Sequence, residues 1–121
     1  TQQVRSIDIY PTIFDVLGLK INDRIDGSSL LPLAKGMSVK ENPAILESRI
    51  NVEEGVTSNT IGIRTSKYKY FRNIDDHKKD VTLFDLENDP LEEENIQQLE
   101  KEIILEMENI LKYNLSINQN S

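Results

Sequence analysis

Asp75-Asp76-His77 is the cluster whose residue types could most directly do chemistry, because paired carboxylates beside an imidazole can hold a hard cation or move a proton. Against that, adjacent residues point apart unless the backbone turns sharply. Lys78, Lys79 and Asp80 follow at once, so the run also reads as an ordinary polar turn between strands. The 121 residues contain no Cys and one His, which removes thiolate nucleophiles, disulfides and cysteine or multi-histidine zinc sites from this chain. No Gly-rich phosphate loop is present, and no Ser with a paired His or pair of Glu residues in a cleft can be argued from spacing. Fourteen Lys and Arg against twenty-one Asp and Glu give a net charge of -7, the wrong sign for a nucleic-acid backbone. No stretch approaches the roughly 20 apolar residues of a membrane span.

The elements that must position these residues fit one modest core, since 121 residues make a single domain of ordinary size. Ile9, Ile13, Val16 and Leu17 recur at helical spacing, with Pro11 tolerable in a first turn, and predict a helix over about residues 7–18 ended by Gly18. Asp26-Gly27 signals a turn, and Ser28 or Ser29 can cap a short helical turn carrying Leu30, Leu31 and Leu33, which Gly36 closes. Beyond Pro43, Ala44-Ile45-Leu46-Glu47 reads as a strand with the polar exit Glu47-Ser48-Arg49, and residues 51–59 as an exposed loop. Ile61 to Thr65 and the aromatic-rich Tyr68 to Arg72 read as a β-hairpin, and Val81 to Leu86 as a further strand. Asp89-Pro90 is an N-cap followed by Pro at a first helical position, with a second cap in Asn95 to Gln98. Ile96, Leu99, Ile103, Met107 and Ile110 then step by 3 or 4 and predict a helix over about 96–113. Its outer face would carry Glu100, Glu102, Glu106 and Glu108, and residues 114–121 read as a frayed tail. The expected fold is α+β, a small four-stranded antiparallel sheet packed by a long C-terminal helix. Its expected divisions are a helical segment over 1–40, the sheet and helix over 41–113, and the tail.

Four stretches resemble the sulfatase family, within the alkaline phosphatase superfamily. Asp8-Ile9-Tyr10-Pro11-Thr12 with Gly18 is similar to its "D-x-Y-P-T" helix, and Asp26-Gly27-Ser28-Ser29-Leu30 to its "D-G-x-S-L" turn. Arg64-Thr65 with Tyr68-Lys69-Tyr70 resembles its "R-T-x-x-Y-K-Y" hairpin. Leu83-Phe84-Asp85-Leu86 with Asp89-Pro90, Glu93 and Asn95 resembles its "L-Y-D-L-x-x-D-P-x-E-x-x-N" ending. They occur in family order across residues 4–96. The resemblance implies the C-terminal subdomain of a sulfuric ester hydrolase, whose nucleophile, a formylglycine, and calcium ligands lie upstream; nothing here matches its C/S-x-P-x-R motif. No catalytic or metal-binding residue is therefore assigned, and the chain alone should not hydrolyse an aryl sulfate. Calcium and formylglycine would belong to the parent enzyme. Glu47 and Arg49 are the candidate substrate-binding residues, because in family members the residues after this strand can approach the substrate pocket; a surface ion pair is the alternative. The implied partners are an N-terminal catalytic domain and a sulfated small molecule or glycan, not nucleic acid or membrane. A phosphonate or phosphate ester hydrolase of the same superfamily, or a non-catalytic interaction module, are the rival readings. With the N-terminal helix uncovered, Ile9, Ile13, Phe14, Leu17, Leu30 and Leu33 would drive pairing into a homodimer. Compartment is left open.

Overall fold

The computed structural model describes residues 2–51 and 57–119, with the side chains of 49–51, 57, 58, 118 and 119 outside the description. The chain forms two compact units, Thr1–Ala44 and Ile45–Ser121.

In the first unit, a turn of 3-10 helix over Ser6–Asp8 runs into α1, Ile9–Val16, so the single helix expected over 7–18 begins as a tighter turn and is shorter. Pro11 is the third residue of α1, inside the first turn, where its missing N–H costs nothing. Gly18, at φ +68°, stops the helix: its N–H donates to Asp15 O and that of Leu19 to Phe14 O, the paired bonds of a left-handed helix end. The short α2, Leu31–Ala34, follows. Ser29, one of the two expected caps, stands one residue before the cap position at Leu30, yet its hydroxyl still accepts the Leu31 N–H at 3.2 Å.

The second unit is built on β1 (Ala44–Asn51), β2 (Thr57–Arg64), β3 (Tyr68–Asn73) and β4 (Thr82–Asp85), followed by α3 (Lys101–Gln119). The four strands lie in the order β1-β2-β3-β4, a meander in which each strand pairs with its neighbour in sequence. In the β2/β3 hairpin Ile61 faces Arg72, Ile63 faces Tyr70 and Arg64 faces Lys69; in β3/β4 Tyr70 faces Leu83. Side chains alternate across a sheet, so Ile61, Ile63, Tyr70, Arg72 and Leu83 share one face. Met107 and Leu111 of α3 cover that face, and with Ile61, Ile63, Tyr70 and Leu83 they form the buried core. Each such side chain contributes roughly 1.5–3 kcal/mol by leaving water. The α+β expectation, a four-stranded antiparallel sheet under a C-terminal helix, holds.

Three local expectations need correction. Asp89-Pro90 starts no helix, and residues 89–100 are irregular chain with two short turns. The Asp89 carboxylate accepts the backbone N–H groups of Glu93 and Glu94 within an irregular loop, and Asn95 reaches back to β4, accepting the Leu83 N–H at 3.0 Å. The bonds to Asp89 hold the Glu93 and Glu94 N–H groups in a loop, and the bond to Leu83 ties Asn95 to the sheet. The final helix is accordingly Lys101–Gln119, later than 96–113, and it continues through residues read as a frayed tail. Of its expected stripe, Met107 is in the core and Ile96, Ile103 and Ile110 pack against it, while Leu99, ahead of the helix, is 74% exposed and Leu111, not in that stripe, is fully buried.

Candidate functional site

The motif residues of the first unit are fastened to one another. Asp8, at 3% exposure, accepts from Arg5 Nη2 at 2.9 Å and from the Ser28 N–H at 2.9 Å. Burial alone would push its carboxyl up, but the Arg5 side chain and the backbone donors of Ser28 and Arg5 hold it below the usual carboxylate range. The Thr12 hydroxyl donates to Asp8 O and accepts the Leu30 N–H at 2.9 Å, and the Ser29 hydroxyl donates to Asp15. Between these clasps, a Cβ on Gly27 would lie 2.0 Å from Ile7 O. Gly27 is thus required for close approach to the helix start rather than for a tight turn. The "D-x-Y-P-T" and "D-G-x-S-L" stretches are two halves of one joint.

In the second unit, sequence reading placed Glu108 on a solvated helix face, and the structure overturns this. Glu108 accepts from Arg72 Nη2 at 3.1 Å and Nε at 3.2 Å, and from the Tyr70 hydroxyl at 2.9 Å. Arg72 is 4% exposed, so this is a bidentate ion pair at the edge of the core. Burial would push the Glu108 carboxyl up, yet Arg72 and Tyr70 hold it below its ordinary value. Burial and the Glu108 carboxylate together push the Tyr70 hydroxyl well above the usual phenol value, so it remains a proton donor. The signal that could have found this is the alternation Tyr68, Tyr70, Arg72, which puts a cation on the face that carries the core.

Asp75, Asp76 and His77 lie in the exposed turn between β3 and β4, where the Asn73 side-chain oxygen accepts the N–H groups of Asp75 and Asp76. Glu47 is exposed on β1 and lines an open recess of about 410 Å³ on the second unit. Thr60, Gly62, Lys69 and Phe71 line the same recess, bringing a carboxylate, a hydroxyl, an ammonium and a phenyl ring to one concavity. Lys69 also binds Glu92. Arg49 lies on β1 two residues beyond Glu47, and its side chain falls outside the described residues. Sequence reading did not connect Lys69 with Glu47, because the register that brings β3 near β1 is a property of the whole sheet. Among the described residues, no group of three or more His, Cys, Asp or Glu is placed to hold a metal ion, and no helix is long and apolar enough to cross a membrane.

Comparison with known proteins gives these motifs a family. Residues 1–120 match the family described as N-sulphoglucosamine sulphohydrolase, C-terminal. The ulvan-active sulfatase of Formosa agariphila is 28% identical over 125 residues, covering 78% of this chain and 25% of that protein. Arylsulfatase K of Homo sapiens is 33% identical over 100 residues, covering 77% of this chain and 18% of that protein. The chain thus spans no more than 25% of the length of these curated relatives. Among solved structures, a 2-O GAG sulfatase is alike in fold, with a TM-score of 0.77 at 24% identity over 93% of this chain and 24% of that one. The phosphonate monoester hydrolase of Agrobacterium radiobacter gives a TM-score of 0.61 at 25% identity, with the same coverage of 93% and 24%. With four motifs in order, a shared fold and a match along almost its whole length, the chain belongs to the C-terminal domain family of the sulfatases.

Proposed function

We propose that this chain is the C-terminal subdomain of an enzyme that hydrolyses sulfate esters, serving there as scaffold and as one wall of the substrate cleft. The observation that carries the wall is Glu47, which stands on the recess with Lys69, Thr60 and Phe71. A carboxylate and a hydroxyl can bind sugar hydroxyls, and an ammonium can face a sulfate. Glu47 and Arg49 are the substrate-binding candidates, and a sulfated small molecule or glycan is the ligand class. In the full-length enzyme, Glu47→Ala and Arg49→Ala are expected to raise KM while leaving kcat near its starting value. Unchanged kinetics for both variants would remove the wall from the reading.

The chemistry itself belongs to a catalytic domain beyond these residues. A formylglycine nucleophile and a calcium ion, the groups that the sulfatase resemblance brings, would supply attack on sulfur and charge stabilisation. The residues present do not fit either group: the chain has no Cys and no Ser-x-Pro-x-Arg sequence, and its described carboxylates form no cation cage. The chain alone is therefore expected to be inactive on an aryl sulfate with or without calcium, and turnover above buffer by the pure chain would refute that.

Docking to the catalytic domain is assigned to α1, whose Ile9, Ile13 and Val16, with Leu17 at its end, are all more than half exposed. In the chain by itself the same face would pair two copies. Light scattering after size exclusion should show a mass above 13.9 kDa that Ile13→Glu returns to the monomer value; a monomer at every concentration would refute the pairing. A second reading, an enzyme acting on phosphonate or phosphate esters, is favoured by the likeness to the phosphonate monoester hydrolase. Parallel assays of the full-length enzyme on an aryl sulfate and a phenyl phosphonate separate the two.

A further inference from the structure

On the face of the sheet turned away from α3, Phe71 is placed unevenly between its neighbours. On the β4 side it is braced: Phe84 lies diagonally across from it, with ring centroids 6.2 Å apart and planes tilted by 49°. On the β2 side its direct partner in the register is Gly62, which has no side chain to set against the ring. Gly62 is itself demanded by the close approach of β3, because a Cβ there would collide with Tyr70 O and Phe71 Cβ. Cross-strand side chains stabilise an antiparallel pair, so a glycine opposite a phenylalanine gives up that contact. The side of Phe71 left without a facing side chain is the side of the recess, which Phe71 and Gly62 line together with Thr60 and Glu47.

We propose that Phe71 is the stacking platform of the recess and that the ring it carries is a pyranose. One face of a pyranose is a layer of C–H groups and its rim is set with hydroxyls, so a phenyl ring beneath and oxygen atoms beside it answer both parts. The Thr60 hydroxyl donates or accepts at that rim and the Glu47 carboxylate accepts. The recess, at about 410 Å³, has the size of a small-molecule site, roughly 300–1,000 Å³. A flat aryl sulfate would use the phenyl ring but bring no hydroxyls to Thr60 and Glu47, and this sets the preference for a sugar over an aryl group. The inference rests on the cleft-wall reading and narrows its ligand from any sulfated small molecule to a glycan.

The test follows the Gly62 backbone amide of the 121-residue chain by nitrogen-15 NMR while methyl glucoside, glucose sulfate and sodium sulfate are titrated in separate arms at constant ionic strength set by chloride. The expected result is a saturating shift at about millimolar concentration with both sugars. Phe71→Leu, which stays apolar but loses the flat face, should weaken sugar binding by about fivefold, and Phe71→Trp, which widens that face, should bind at least as tightly as the unaltered chain. A dispersed amide spectrum identifies each variant as folded. Saturation by the methyl glucoside with nothing gained from the sulfate group supports the platform and counts against the sulfate ester reading. Saturation by sodium sulfate with neither sugar adding to it does the reverse and overturns the platform. No saturation by either sugar also overturns it, as does sugar binding that a folded Phe71→Leu leaves unchanged or a folded Phe71→Trp loses.

Discussion

In Thr1–Ala44 the described residues that leave solvent are Asp8 and Pro11, whereas in Ile45–Ser121 they include Ile61, Ile63, Tyr70, Leu83, Met107 and Leu111. The first unit turns apolar side chains outward: Ile9, Ile13 and Val16 of α1 and Leu17 just after it are 51–63% exposed. Its shape comes from the Asp8, Thr12 and Ser29 bonds to backbone and side chains instead. The second unit reverses this, burying its apolar side chains between sheet and helix and setting the charge pair of Arg72 with Glu108 at the margin. A segment shaped by polar clasps keeps its hydrophobic surface available for something else, while a segment shaped by packing has spent that surface on itself.

That contrast can be broken most forcefully at Glu108. Replacing it by Ala leaves Arg72 charged and unpaired against the core, and the expected loss is about 3–5 kcal/mol, read from chemical denaturation. Leu111→Ala, at a fully buried position, should cost about 3 kcal/mol, whereas Ile13→Ala, half exposed on α1, should change stability by no more than about 0.5 kcal/mol. Equal losses for these two would erase the distinction between the units. Gly27→Ala forces a methyl group against Ile7 O and should cost about 1–3 kcal/mol. Backbone amide shifts should show its effect around Asp8 and Ser28, where the joint closes.

Acid should act on both units. Asp8 and Glu108 titrate below their ordinary values in the folded chain, so each contributes stability that is present above the unfolded carboxylate value of about 4 and is lost as pH falls through the lower folded value. The midpoint of denaturation should therefore drop below about pH 4, and Glu108→Gln should flatten the part of that drop owed to the second unit. Smallest of all, Lys67→Met removes an exposed contact of 3.9 Å to Glu87 and should shift stability by less than about 0.5 kcal/mol.

The hairpin was legible in the sequence because strict alternation in Ile61 to Arg64 and a dense aromatic run in Tyr68 to Phe71 admit one register on a half-buried sheet. The full width of the helix's buried face was less so. Ile110 and Leu111 are both apolar, and spacing cannot choose between neighbours when the choice depends on where the sheet lies. Glu108 was misread because charge on a helix was counted as solvated, although Arg72 on the core face demanded an anion. The loop over 89–100 was misread for a similar reason: Asp89 and Asn95 have the right types for helix caps, and only the return of Asn95 to Leu83 shows that they hold a clasp. Glu47 was singled out from resemblance, while Lys69 and Thr60 joined it only once the strands had a common sheet. Long-range partners are what local spacing cannot carry.

The meander order of the sheet also sets a timetable. Neighbouring strands pair through short connections, the kind of contact that forms quickly. The helix that covers them arrives late, since the Tyr70 hydroxyl finds Glu108 across 38 residues of chain. On a ribosome adding about 5–20 residues each second, Ile61, Ile63 and Tyr70 stand uncovered for seconds after their own hairpin has emerged. During that interval the nascent sheet presents its stickiest face to everything around it, and α3 acts as the chain's own late-arriving chaperone.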